Sequence, residues 1–190
     1  MIPFGDLMSD QPDHENPGAT VANNVLPVTK KSYGPLAGLA SISDAVTNRV
    51  QGAIAAKDNS GNVFTFVADS DDLFRLNGAS WTNVSKSAAA YTVATDRMAR
   101  FAVFGNRVIA ALGITDPLQS FVMGTSSAFA DLAAAAPRAH HIAVIGDHVM
   151  VGNTWDSTDG AQPQRVWFCN INDPTTWPTI GSAAAASGQS

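Results

Sequence analysis

The chain has 190 residues and a mass of 19.8 kDa, with 45% hydrophobic and 14% charged residues; that is apolar material for one ordinary domain, at a charge content well under the roughly 25% of an average soluble one. Eleven Lys and Arg against sixteen Asp and Glu leave a formal charge of −5, which speaks against a basic nucleic-acid groove or an anchor for anionic membranes. The single cysteine, Cys169, excludes an internal disulfide and a zinc cluster built on cysteines, and the absence of a basic start followed by an apolar run, or of any stretch near ~18 apolar residues, predicts a soluble chain with no leader and no membrane anchor.

Residues 1–29 hold Asp6, Asp10, Asp13 and Glu15, no Lys or Arg, and prolines at 3, 12, 17 and 27. With neither helical nor strand periodicity, they read as the start of an extended arm and connector covering residues 1–50. Proline removes backbone donors and biases its predecessor away from helix, so such a segment is held from outside. Three readings stand: a disordered N-terminus, a strap on its own domain, or a segment packed on a neighbouring subunit with Phe4, Leu7, Val25, Leu26 and Tyr33 as apolar anchors. Helix is expected at two places only. One is residues 41–49, where Ser43 or Asp44 would cap a short turn, and the other is the alanine run 132–136, which ends at Pro137.

Residues 51–180 carry internal repeats. Phe101-Ala-Val-Phe-Gly-Asn-Arg-Val-Ile-Ala110 aligns without gaps on Ile142-Ala-Val-Ile-Gly-Asp-His-Val-Met-Val151, 41 residues later, and a fainter copy surrounds Gly61-Asn62. In each, alternating apolar residues flank a Gly-Asn or Gly-Asp pair, predicting tight antiparallel hairpins at Gly61-Asn62, Gly105-Asn106 and Gly146-Asp147. A second element recurs in step. Leu73-Phe-Arg-Leu76 precedes Trp81, Ser120-Phe-Val-Met123 precedes Phe129, and Val166-Trp-Phe-Cys169 precedes Trp177. Phe74, Phe121 and Phe168 are 47 residues apart, and Trp81, Phe129 and Trp177 are 48 apart. These three large rings are expected to be buried at equivalent places between adjacent sheets. Two elements in phase at a ~40 to 50 residue period fit four-stranded propeller blades better than a sandwich with a few similar hairpins. The expected fold is therefore all-β: about three propeller-like antiparallel sheets, open or incomplete, followed by a low-complexity tail at 181–190. Propellers close with 4 to 8 blades, so three leave edges for other chains or further blades to cover.

No catalytic, cofactor or metal site stands out. Cys169 lies in an apolar run and reads as a small core residue. His140 and His141 point to opposite faces of a strand, and His148 takes the exposed hairpin place held by Arg107 one repeat earlier. Asp69, Asp71 and Asp72, like Asp156 and Asp159, read as solvated turns with no adjoining arginine or burial to tune them for acid–base work. Asp58-Asn-Ser-Gly-Asn62 lacks calcium-loop spacing and reads as a hairpin turn.

The opening Met1-Ile-Pro-Phe-Gly-Asp, with Asp10-Gln-Pro-Asp13, Asn16-Pro-Gly18, Ala22-Asn-Asn-Val-Leu-Pro27 and Tyr33-Gly-Pro35 ahead of β repeats, resembles the start of tail nozzle or tail hub proteins of short-tailed bacteriophages. The resemblance implies an irregular N-terminal segment before a propeller, several copies ringing the tail channel, and a structural rather than enzymatic role in sealing and conducting DNA. The implied partners are other copies of the chain and neighbouring tail or portal-adaptor proteins, with DNA as passing cargo and no cofactor. The implied location is the virion, assembled in the host cytoplasm. The competing expectation is a propeller-type module that binds or hydrolyses carbohydrate.

Overall fold

A computed structural model of the chain describes residues 40–178 throughout and, before them, residues 8, 12, 14, 16, 18, 21, 23–29, 32–36 and 38. The described residues form thirteen strands, all paired antiparallel, and no helix. The chain divides into two compact units, Met1–Ser41 and Ile42–Ser190.

In the first unit, β1 (Val25–Thr29) pairs with β2 (Ser32–Pro35), with Val25 opposite Pro35 and an irregularity between Pro27 and Thr29. The expectation of an arm without strands is thus corrected for Val25–Thr29 and Ser32–Pro35. Both members of a two-stranded sheet are edge strands, where a proline such as Pro27 can be accommodated. Val25 and Leu26 remain 37% and 52% exposed and Tyr33 is half-buried, while Phe4 and Leu7 lie outside the described residues.

The second unit contains three meanders. The first sheet is β3 (Gly52–Lys57), β4 (Val63–Ala68), β5 (Leu73–Asn77) and β6 (Ser80–Asn83). The second is β7 (Arg100–Phe104), β8 (Arg107–Ala111), β9 (Gln119–Val122) and β10 (Ala130–Asp131). The third is β11 (Arg138–Ile145), β12 (His148–Asp156) and β13 (Gly160–Phe168). Each sheet keeps its strands in chain order, as short hairpin connections dictate.

Strand alternation then builds two cores. Phe64, Phe66 and Ala68 of β4 lie on one face of the first sheet and meet Val108, Ala110, Phe121, Met123 and Phe129 of the second. Phe66, Phe121 and Phe129 form a ring cluster with centroids 5.0 to 5.5 Å apart. The other face of the second sheet presents Ile109, Ala111 and Leu118 to Val149, Val151, Trp167, Cys169 and Trp177 of the third sheet's packing layer. Strand β8 is therefore buried on both sides, which is why its Val-Ile-Ala-Ala run lacks polar alternation. Each large side chain so buried contributes about 1.5–3 kcal/mol of transfer free energy.

Neither expected helix is present. In residues 41–49 Asp44 does not cap a helix. Its N–H donates to Ala79 O (2.7 Å), its carboxylate accepts from Ser80 Oγ (2.8 Å), and its carbonyl accepts from Trp81 Nε1 (3.0 Å), so it is used to brace the β5–β6 turn. In residues 132–136 Leu132 donates its N–H to Leu118 O (2.7 Å) and sinks into the second core, leaving a lone turn from Ala136 N to Ala133 O (3.2 Å). A segment that short cannot outweigh the cost of helix nucleation once its leading residue is claimed by a sheet.

Candidate functional site

Gly105-Asn106 joins Phe104 to Arg107 and Gly146-Asp147 joins Ile145 to His148, each in a two-residue turn with only the glycine left-handed, at φ 56° and 57°. The Gly61-Asn62 pair differs. It ends a five-residue loop, 58–62, because Asp58 gathers the chain: its carboxylate accepts from Ser60 N (2.9 Å), Asn62 N (2.8 Å) and Asn62 Nδ2 (2.8 Å). The Asn62 side-chain bond leads the effects that hold this carboxyl below the usual range. The loop also reaches the next sheet, where Asn59 N donates to Asn106 Oδ1 (3.2 Å). Sequence reasoning missed one further two-residue turn, Gly78-Ala79 between Asn77 and Ser80, although Asn77-Gly78 is a hairpin signal.

The repeated aromatics have defined places. Phe129 enters the first core and Trp177 the second, where its Nε1 donates to Pro174 O (2.8 Å). Trp81 lies opposite Leu76 in β6 and is half-buried rather than buried, with its Nε1 donating to Asp44 O (3.0 Å). The phenylalanine repeat also needs correction. Val67 faces Phe74 and Val108 faces Phe121, but Val149 accepts the N–H of Cys169 (3.0 Å), while Phe168 faces Met150. Cys169 thus takes the place of Phe121, 48 residues on, and Phe168 is turned to the other side of the third sheet, its ring 5.4 Å from His148. A one-residue slip changes the face of a strand residue.

Cys169 is 1% exposed, its Sγ accepts from Val149 N (3.1 Å), and burial pushes its thiol pKa up. His140 is half-buried and its pKa is lowered, chiefly by burial and then by Arg97, whereas the adjacent His141 is exposed. His148 is half-buried, not exposed, with Nδ1 2.8 Å from Cys169 O. Among the described residues no three His, Cys, Asp or Glu side chains gather as a metal centre.

Two carboxylates depart from the solvated-turn expectation. Asp69 is 1% exposed and folds its own turn, accepting from Asp71 N (2.9 Å) and Asp72 N (2.8 Å). Asp156 is paired with Arg165 (2.5 Å), which also binds Asp159, so an arginine does adjoin that pair. It lies on the returning strand β13, which is why its sequence distance hid it.

A cleft of about 460 Å³ lies between the alanine turn 133–136 and the β12–β13 end, lined also by Asp131, Arg138, Trp155, Asp156 and Trp167. The Arg138 guanidinium lies 4.4 Å over the Trp155 ring. Burial pushes the Asp131 carboxyl up, but hydrogen bonds from Gln119 Nε2 (2.7 Å) and Lys86 Nζ (2.9 Å) outweigh it and leave the pKa below the usual range. Trp167 is buried, and its Nε1 donates to no atom of the described residues. No protein-family model matches the chain, and no curated protein matches it.

Proposed function

We propose that the chain is a structural component of a short-tailed phage tail, in the nozzle or hub, with its three sheets acting as consecutive blades of a propeller-like domain and no catalytic role. The observation that carries this reading is positional. Val67 pairs with Phe74, Val108 pairs with Phe121 and Val149 O accepts from Cys169 N, one such pair in each of three successive sheets, and Phe129 and Trp177 fill the first and second cores. A stack of this kind has two terminal faces and is extended by adding another sheet at either end. The β1–β2 hairpin supports an assembling role, since two strands alone are marginal in water and Val25, Leu26 and Val28 stay exposed for another chain to cover. The acidic balance suits a channel wall that must not retain phosphates.

Gold-labelled antibody raised against the chain should decorate the tail vertex of phage particles from the source culture. Particles without label would sink the reading. Carbohydrate binding is favoured by one observation, the cleft with Trp155, Trp167 and flanking carboxylates, so retention of the unassembled chain on a glycan array would put that reading first.

A further inference from the structure

We propose that Asp69 and Gln51 hold a sodium ion where the first sheet meets the connector 84–99 that leads to the second. The site lies wholly inside the second unit, and the inference needs no part of the proposed function.

Two buried oxygens point to it. Asp69 is 1% exposed and Gln51 2%, and Asp69 Oδ2 and Gln51 Oε1 are both closed to solvent and accept no hydrogen bond. The other polar atom of each side chain is used: Asp69 Oδ1 accepts from Asp71 N and Asp72 N, and Gln51 Nε2 donates to Ala94 O (2.7 Å). The backbone brings the two oxygens to one junction. On one side of Asp69, Ala68 O accepts from Gln51 N (2.8 Å). On the other, Ser70 O accepts from Val93 N (2.9 Å), and Val93 precedes the Ala94 that holds the Gln51 amide. Ala99 N ties the far end of the connector to the same place by donating to Gln51 O (3.1 Å).

A buried charge is kept in a fold when it is paired or coordinates a metal, since leaving it alone costs far more than a lost hydrogen bond. Among the described residues no Lys, Arg or His nitrogen pairs with Asp69, and Arg97 of the same connector is turned to Asp96 (3.7 Å). The groups on offer are all oxygen acceptors: a carboxylate, an amide carbonyl, and Ser70 O with a second lone pair. Such donors suit hard cations rather than thiolate- or imidazole-seeking metals. Charge and size then select among the hard ones. No three acidic or imidazole side chains gather among the described residues, so a divalent ion against the one free carboxylate oxygen would keep an uncompensated buried charge, whereas a monovalent ion is neutralised. A site closed to water has no room for potassium, which is about as large as a water molecule; sodium is smaller.

The test is equilibrium urea unfolding of the whole chain while sodium chloride is exchanged for choline chloride at constant ionic strength, which holds general screening fixed. A ligand that binds only the folded chain lowers the unfolding constant in proportion to its concentration once the site fills. The expected result is a fall of about tenfold for each tenfold rise in sodium, with a smaller effect of potassium. Asp69→Asn keeps an oxygen for the amides of Asp71 and Asp72 but removes the charge, so it should abolish the dependence. Should that variant fail to fold, Gln51→Leu removes the amide oxygen and should weaken the dependence, and broadening of the sodium NMR line by the native chain reads binding directly. Stability indifferent to the exchange, an equal response to potassium, a response to calcium without one to sodium, or an undiminished dependence in either variant would overturn the inference.

Discussion

Tyr91 shows how a single polar group can be fixed inside the first core. It is 4% exposed; its hydroxyl donates to Gln119 Oε1 (3.0 Å) and accepts from Lys86 N (3.1 Å). Burial leads the effects that push its pKa from 10 to about 12. The folded chain therefore holds the proton more tightly than the unfolded chain, so the contribution is fully present below about pH 10 and is lost as pH rises from 10 to 12. Denaturant melts across that window should show falling stability in the native chain and a flatter profile in Tyr91→Phe. At neutral pH the same substitution should cost about 1–3 kcal/mol, because the fully buried Gln119 loses a donor to its Oε1. Phe129→Ala, emptying the ring cluster, should cost about 3–5 kcal/mol, and Trp81→Ala, at a half-open face, distinctly less; urea melts of the two variants rank them.

Among the described glycines, Gly52 has the least room: an added Cβ would stand 2.3 Å from Ala99 O. That atom is backbone and cannot swing aside, so Gly52→Ala must force apart the start of β3 and the chain leading into β7. Its expected cost is about 1–3 kcal/mol, checked by equilibrium unfolding, whereas Gly38→Ala, which meets nothing within 4 Å, should leave stability unchanged. The hairpins were legible in the sequence because glycine followed by Asn or Asp signals the turn locally, without help from the rest of the fold. The third-sheet register was not legible. A Phe at 168 looks like the partner of Phe121, and only the pairing of Val149 with Cys169 shows which neighbour faces the core. Residues 41–49 and 132–136 failed as helices because Asp44 and Leu132 answer to Trp81 and Leu118, contacts across 37 and 14 residues that no local pattern records. The Asp156–Arg165 pair and the cleft beside it were hidden for the same reason.

For the second unit as a whole, the decisive strand is β8, since Val108 and Ala110 serve one core while Ile109 and Ala111 serve the other. Loss of either core exposes one of its faces, which couples the three sheets and predicts a single unfolding transition for this unit. The amides of Val108, Ile109 and Ala110 should then be the slowest to exchange in native-state hydrogen exchange, with β6 and β10 markedly faster. The position of Cys169 adds a chemical clock to the same junction. As the chain's sole thiol it is sealed between the second and third sheets, so a disulfide reagent in excess can reach it only when those sheets part. The rate at which colour develops counts those partings, with no label to introduce and no second thiol to confuse the signal.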